Sequence, residues 1–215
     1  MRECVLVPTS TEAKPVSAFI PGDRLRAFCQ AVARRAVVLV DEAYHDYVEA
    51  PEYSSMLDLV REGHNVIVSR TFSKIHGLAG LRIGYGLARS DLASRLRQFR
   101  SGHSVNILGL RAAIASYQDA EFQAFSRRKN AEARSYLYQA LEGLGYRYLP
   151  SHTNFVFFRI GQDVQAFREA MEKRGVLVGR PFPPYMDWCR VSTGTMDEMK
   201  SFAAALREIT DQSTD

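Results

Sequence analysis

The stretch that decides the fold runs Val37-Val38-Leu39-Val40-Asp41-Glu42-Ala43-Tyr44, crosses a polar, aromatic loop to Tyr53, and resumes at Asn65-Val66-Ile67-Val68-Ser69-Arg70-Thr71-Phe72-Ser73-Lys74. Its two β-branched runs are the length of buried strands and too short for helices. A helix is expected between them over 55–62, closing at Gly63. Strand, helix, strand is the unit whose right-handed crossover makes the strands parallel. The segment 81–87 follows too soon for another crossover, so it is expected to run antiparallel to its predecessor.

Outward from this block, strands and helices continue to alternate. Leu25, Phe28, Cys29 and Val32 have helical spacing over 24–34, behind the turn Pro21-Gly22-Asp23. Downstream, helices are expected over 91–100, 108–117 and 120–144, the last ended by Gly143 and Gly145. Strands follow at 154–158, 176–178 and 188–192, and helices at 164–173 and 196–209. The fold class is therefore α/β. The long helix reads as a connector, which divides the chain into 1–119, part of a larger domain, and 120–215, the connector with a small α+β domain. A small sheet of that kind is expected to need the preceding domain to bury its second face.

The 215 residues are 46% hydrophobic and 24% charged, the balance of a folded globular protein rather than a disordered or fibrous one. Lys and Arg total 28 against 24 Asp and Glu, and the net charge of +4 is spread too evenly to mark a nucleic-acid binder. The clusters Arg95/Arg97/Arg100 and Arg127-Arg128-Lys129 read as solvated helix faces. Cys4, Cys29 and Cys189 are too scattered for a disulfide framework or a zinc site, which fits a reducing cytoplasm. The histidines show no ligand spacing, so no metal is expected. Apolar runs such as 36–40 fall far below the about 20 residues that span a bilayer. Met1-Arg2-Glu3-Cys4 lacks the pattern of a secretory signal, and the chain is expected to be mature and internal.

Open α/β sheets bind ligands outside the carboxyl ends of their strands, where three short motifs fall. Each has a plain reading by itself. Asp41 after an apolar run is a turn former or helix cap. Lys74 is a solvated loop lysine, or an amine whose partial desolvation lowers its pKa and lets it form a Schiff base. In Gly77-Leu78-Ala79-Gly80-Leu81-Arg82-Ile83-Gly84 the glycines allow close approach and Arg82 can pair a phosphate through two parallel hydrogen bonds. The run matches neither the nucleotide phosphate loop nor the dinucleotide fingerprint.

Taken together, the carboxylate three residues before a tyrosine, the Ser-Lys pair and the Leu-Ala-Gly-Leu-Arg-x-Gly run resemble the class I/II aminotransferases, and among them the histidinol-phosphate aminotransferase group. The likeness extends over about 19–209 and implies part of the type I pyridoxal-phosphate (PLP) transferase fold. By this resemblance Lys74 holds PLP and moves the proton, Asp41 keeps the pyridine nitrogen protonated, and Tyr44 bonds the ring's phenolic oxygen. Ser73, Arg82 and Thr71 hold the phosphate. Arg190, in Cys189-Arg190-Val191-Ser192-Thr193-Gly194-Thr195, resembles the family's arginine for the substrate carboxylate. Asn154 and Arg180 are further substrate candidates. The family also implies an amino donor and a 2-oxo acid as substrates, and a homodimer.

The family's Asn-Pro-Asn-Asn-Pro-Thr-Gly loop is replaced here by Pro8-Thr9-Ser10-Thr11-Glu12-Ala13-Lys14-Pro15-Val16-Ser17. The family's N-terminal portion, with its phosphate-binding loop and stacking aromatic, is not represented. Its loss would leave strand edges or faces without cover. A truncated, impaired remnant or one subunit of a split enzyme is therefore the alternative expectation. A PLP-dependent decarboxylase of the same fold shares these motifs, and a hydrolase built on Thr71-x-x-Lys74 lacks a partner motif.

Overall fold

A computed structural model describes residues 4–8, 20–99 and 105–212. Arg100, His103 and most of the 8–17 replacement lie outside the described residues. The chain forms two compact units, one running through Ser126 and the other from Arg127 onward.

The first unit is built on a four-stranded sheet of β1 (Cys4–Pro8), β2 (Val37–Asp41), β3 (Val66–Thr71) and β4 (Gly84–Ala88), in that order. β1, β2 and β3 are parallel, and β4 runs antiparallel to β3. The parallel pairing of β2 with β3 and the reversal at β4 follow the expectation. α1 (Gly22–Val32) and α2 (Leu57–Arg61) supply Leu25, Cys29 and Leu59 to a core with Val38, Val40, Val66 and Val68. Side chains alternate along a strand, so Val38 and Val40 share the helix-covered row while Leu39 and Asp41 point the other way. Val38 and Val40 are fully buried, and Leu39 and Asp41 only partly so. That alternation leaves one row of the sheet available for a site.

α3 (Ser90–Arg97) follows β4, and α4 (Ile107–Gln118) begins at Asn106, whose side chain accepts the Gly109 N–H at 2.6 Å. α5 (Ala120–Gly143) starts in the first unit and continues into the second. Its Ala133, Leu137 and Leu141, four residues apart, make one buried stripe.

The second unit carries an antiparallel sheet of β5 (Tyr148–Leu149), β6 (Phe155–Arg159) and β7 (Trp188–Ser192). α6 (Val164–Glu172) is capped by Asp163, and α7 (Met196–Gln212) closes the unit. Phe158, Val156, Phe167, Phe202 and Leu206 form its core with the α5 stripe. Phe157 is covered from inside the unit by Trp188, Phe182 and Tyr185, at ring-centroid distances of 5.0, 6.4 and 6.2 Å.

Three local expectations are corrected. Residues 176–178 join no ladder among the described residues, and the segment makes one bond to β7, from Gly179 N–H to the Arg190 carbonyl at 2.9 Å. Leu81 closes a 3-10 turn (Ala79–Leu81), and β4 starts only at Gly84. The helix expected over 55–62 is shorter, because Ser55 and Met56 are engaged by Glu42 instead.

Candidate active site

The site begins where β2 and β3 end. Asp41 is the last residue of β2 and pairs with Ser69 of β3. Its Oδ1 accepts the Ser69 hydroxyl at 3.2 Å and the Ala43 N–H at 3.1 Å, which sets the carboxylate at the turn leaving the strand. Thr71 ends β3 opposite Gly84. Its Oγ1 accepts the Ser73 N–H at 3.1 Å, a local side-chain turn that steers the chain out of the strand.

Lys74 stands between two anchors, Phe72 and Ile75, which are 7% and 1% exposed. The loop closes through Phe72 N–H to the Ile83 carbonyl at 3.1 Å, Gly77 N–H to Lys74 at 2.9 Å and Leu78 N–H to Phe72 at 2.9 Å. Gly77 takes φ +69, which a side chain would oppose. The Lys74 ammonium lies 4.8 Å from the centre of the buried Tyr44 ring, a cation–π contact.

Arg82 follows the short turn with φ 54 and ψ 51, the only left-handed residue other than glycine among those described. Its guanidinium donates to the Ala79 carbonyl at 2.9 Å, forms no salt bridge to a described carboxylate, and is exposed. Gly84 has a separate reason to be glycine: a Cβ there would fall 2.9 Å from the Arg70 carbonyl across the ladder. α4 holds both ends of the loop. Asn106 Nδ2 donates to Leu81 O at 3.1 Å, and Ser116 Oγ lies 2.9 Å from Nδ1 of His76.

Asp41, Thr71, Ser73, Lys74 and Arg82 line a single cavity of about 560 Å³. Tyr44 is buried, is not among the residues lining the cavity, and borders it only through its contact with Lys74. The cavity lining thus collects one carboxylate, one amine, two arginines, of which Arg70 is bound to Glu42, and the hydroxyls of Ser69, Thr71, Ser73 and Tyr85. Such a set can hold an anionic carbonyl compound and bring an amine to it. The described thiols are not alternative nucleophiles: burial and the Glu42 carboxylate push Cys29 up to about 11, and burial pushes Cys189 up to about 12 against the nearby Arg168 and Arg190. Both stay protonated at neutral pH.

The other three candidates lie in the second unit. Arg190 stacks its guanidinium on Phe155 and Phe182, at 4.8 and 4.6 Å from the ring centres, and Arg180 lies 4.3 Å from the Phe182 ring. Asn154 accepts the Thr193 N–H through its backbone carbonyl at 2.9 Å, immediately before β6. Arg190 and Arg180 therefore converge on one aromatic ring. The Gly194-Thr195 part of the motif has a structural task, because Thr195 and Glu198 form a reciprocal capping box at the start of α7. Those Thr195 bonds hold the Glu198 carboxyl below its ordinary value.

The family model for aminotransferase class I and II matches residues 15–206. The chain belongs to this family. Among its relatives, the histidinol-phosphate aminotransferase of Moorella thermoacetica is 39% identical over 197 residues, covering 91% of this chain and 51% of the relative. Histidinol-phosphate aminotransferase 2 of Ralstonia nicotianae is 38% identical, over 94% of this chain and 55% of its own. The crystal structure of histidinol-phosphate aminotransferase from Sinorhizobium meliloti in complex with pyridoxal-5'-phosphate superposes with a TM-score of 0.87 at 31% identity, over 97% of this chain and 57% of that one. The fold is accordingly part of the type I transferase fold, and the chain spans about half the length of the relatives it matches.

Within this aminotransferase chain, sequence reasoning passed over Glu42 and Arg70. Glu42 is 1% exposed and accepts from Ser55 Oγ, Met56 N–H and both Nε and Nη2 of Arg70. Burial pulls the Arg70 pKa down, but the Glu42 carboxylate and the Tyr85 hydroxyl outweigh it and the net direction is up. The signal lay in the alternation itself: Glu42 and Arg70 continue the buried rows Val38–Val40 and Val66–Val68, where an unpaired charge is untenable.

Proposed function

We propose that the protein is a PLP-dependent aminotransferase that passes the amino group of an amino acid, or of an amino-alcohol phosphate such as histidinol phosphate, to a 2-oxo acid in amino-acid biosynthesis. The observation that carries this reading is the convergence of Asp41, Lys74 and Arg82, from three separate motifs, on one cavity. Its volume of about 560 Å³ falls in the range of small-molecule sites, and the donor set suits a phosphorylated pyridine aldehyde. Bound PLP supplies a ring that accepts the electron pair released at the substrate carbon. Asp41 would hold the proton on the ring nitrogen, and Tyr44 would donate to the phenolic oxygen. Ser73, Arg82 and Thr71 would bind the phosphate. The Lys74 amine would carry the cofactor and, once displaced by the substrate amine, move the proton at the substrate carbon. Arg190 would orient the substrate carboxylate, with Asn154 and Arg180 as further contacts.

In this proposal 1–119 is the remaining part of the PLP-binding domain and 120–215 the connector with the small domain. The chain works as a homodimer or with a complementing N-terminal half. A cytoplasmic setting is supported by the cysteine usage, and among the described residues no helix is long and apolar enough to cross a membrane. The second reading is the alternative expectation from the sequence, an impaired remnant or one subunit of a split enzyme.

The test is to incubate the folded chain with PLP, reduce with borohydride and map the adduct, while assaying transamination of histidinol phosphate with and without a polypeptide matching the relatives' N-terminal half. An adduct on Lys74 with turnover by the chain alone supports the first reading. An adduct with turnover only on complementation, or with none, supports the second. No adduct on Lys74 overturns both.

A further inference from the structure

We infer that the Glu42–Arg70 ion pair is a positioning device for the site, locking the ends of β2 and β3 from the opposite side of the sheet so that Asp41 and Lys74 are presented in fixed register. The inference rests on the proposed role of the cavity. Asp41 and Ser69 sit on the site row, and the next residues, Glu42 and Arg70, occupy the reverse row. Glu42 Oε1 accepts the N–H of Met56, whose side chain belongs to the helix-covered core, which places that carboxylate on the helix side.

The pair ties three chain segments together at the point where both strands end. Glu42 Oε2 takes Arg70 Nε at 3.1 Å and Nη2 at 2.9 Å, Oε1 takes the Met56 N–H at 2.8 Å, and both oxygens lie within 2.9 Å of Ser55 Oγ. Arg70 Nη2 also donates to Ser55 Oγ at 3.0 Å. Two N–H groups of one planar guanidinium converge on Oε2 while the Met56 N–H holds Oε1, which fixes the carboxylate in angle as well as in distance. One residue before the carboxylate stands Asp41, and one residue after the guanidinium stands Thr71, whose hydroxyl steers Ser73 and Lys74. Although Arg70 borders the cavity, its guanidinium is committed to Glu42, in contrast to the exposed guanidinium of Arg82. Arg70 is therefore a positioning residue rather than an anion ligand.

Residue-resolved amide hydrogen exchange on the protein alone tests this without the cofactor. In Glu42→Gln, the Ala43 and Ser73 amides, which are bonded to Asp41 and Thr71, should exchange about tenfold faster while the ladder amides of Val40 and Val68 keep their rates. Arg70→Lys, which keeps the charge but loses the fork, should show the same pattern more weakly, and it carries the test if the first variant does not fold. A purely stabilising pair would speed all four amides by one common factor. That result, or unchanged rates at Ala43 and Ser73, would overturn the inference. Borohydride fixation of PLP on Lys74 should fall about tenfold in either variant. Failure of the unmodified protein to take PLP would count against the proposed function and leave the exchange result standing.

Discussion

The two sheets of this molecule use the same alternation to opposite ends. In β2 of the first unit one row, Val38 and Val40, is fully buried and the other, Leu39 and Asp41, is only partly so. In β6 of the second unit Phe155, Val156, Phe157 and Phe158 are all 3% exposed or less. A strand covered on one face can end in a polar row that meets a ligand. One covered on both faces has no room for that and serves as scaffold. The contrast extends to the charges: Asp41, Lys74 and Arg82 line a cavity, whereas the guanidinium groups of Arg190 and Arg180 lie over aromatic rings.

If the contrast is sound, changes on the site row of the first sheet should affect cofactor capture with little effect on stability, and changes inside the second sheet should do the reverse. The largest effect is expected from Lys74→Ala, which should abolish the borohydride-fixed PLP adduct while the urea midpoint stays put. Loss of stability instead would break the comparison from the site side. Phe158→Ala, in the scaffold, should cost about 3–5 kcal/mol in urea unfolding, the range for emptying a buried aromatic site.

Arg82→Gly should separate the two quantities within one residue. Removing charge-assisted bonds worth about 1.5–3 kcal/mol should weaken PLP binding roughly 10- to 100-fold, measured by titration. Because a left-handed residue that is not glycine stores about 1 kcal/mol, the same change should leave stability equal or slightly higher.

The smallest effect is a pH slope. Burial lowers the His76 pKa from its ordinary 6.5, with Asp46 and the Ser116 contact opposing. As acid is added the unfolded chain takes up the proton first, so this contribution to stability is complete above about pH 6.5 and is lost as pH falls through the lowered folded value. Urea midpoints measured across that window should decline in the wild type and decline less in His76→Asn. Equal slopes would show that His76 takes up its proton alike in the folded and unfolded chain.

The strands visible in the sequence were β2, β3, β6 and β7, from their β-branched or aromatic runs, and β4, placed over 81–87 with a start three residues too early. β1 and β5 were not expected. β1 is a short run ending in Pro8, and it becomes a strand only because β2 offers a parallel edge; β5 has two residues and exists through its pairing with β6. At 176–178 the opposite happened: the β-branched run joins no ladder among the described residues, and the bond to β7 is donated by its neighbour, the Gly179 N–H, to the Arg190 carbonyl. Local composition states what a segment is able to form, and the availability of a neighbouring edge decides whether it does.

For the site, each motif had a plain reading by itself, and it was the resemblance of their combined order to the aminotransferase family that singled out Asp41, Lys74 and Arg82. Which polar residues face the cavity and which lie beneath it was decided by the folded sheet: Asp41 and Glu42 are adjacent in sequence, yet alternation turns one carboxylate to the cavity and the other to the core. The left-handed backbone at Arg82 and the stacking of Arg190 on Phe155 and Phe182 belong to the same category. The physical reason is that burial and long-range contact set the environment of a charge, and neither is a property of the residues beside it in the chain.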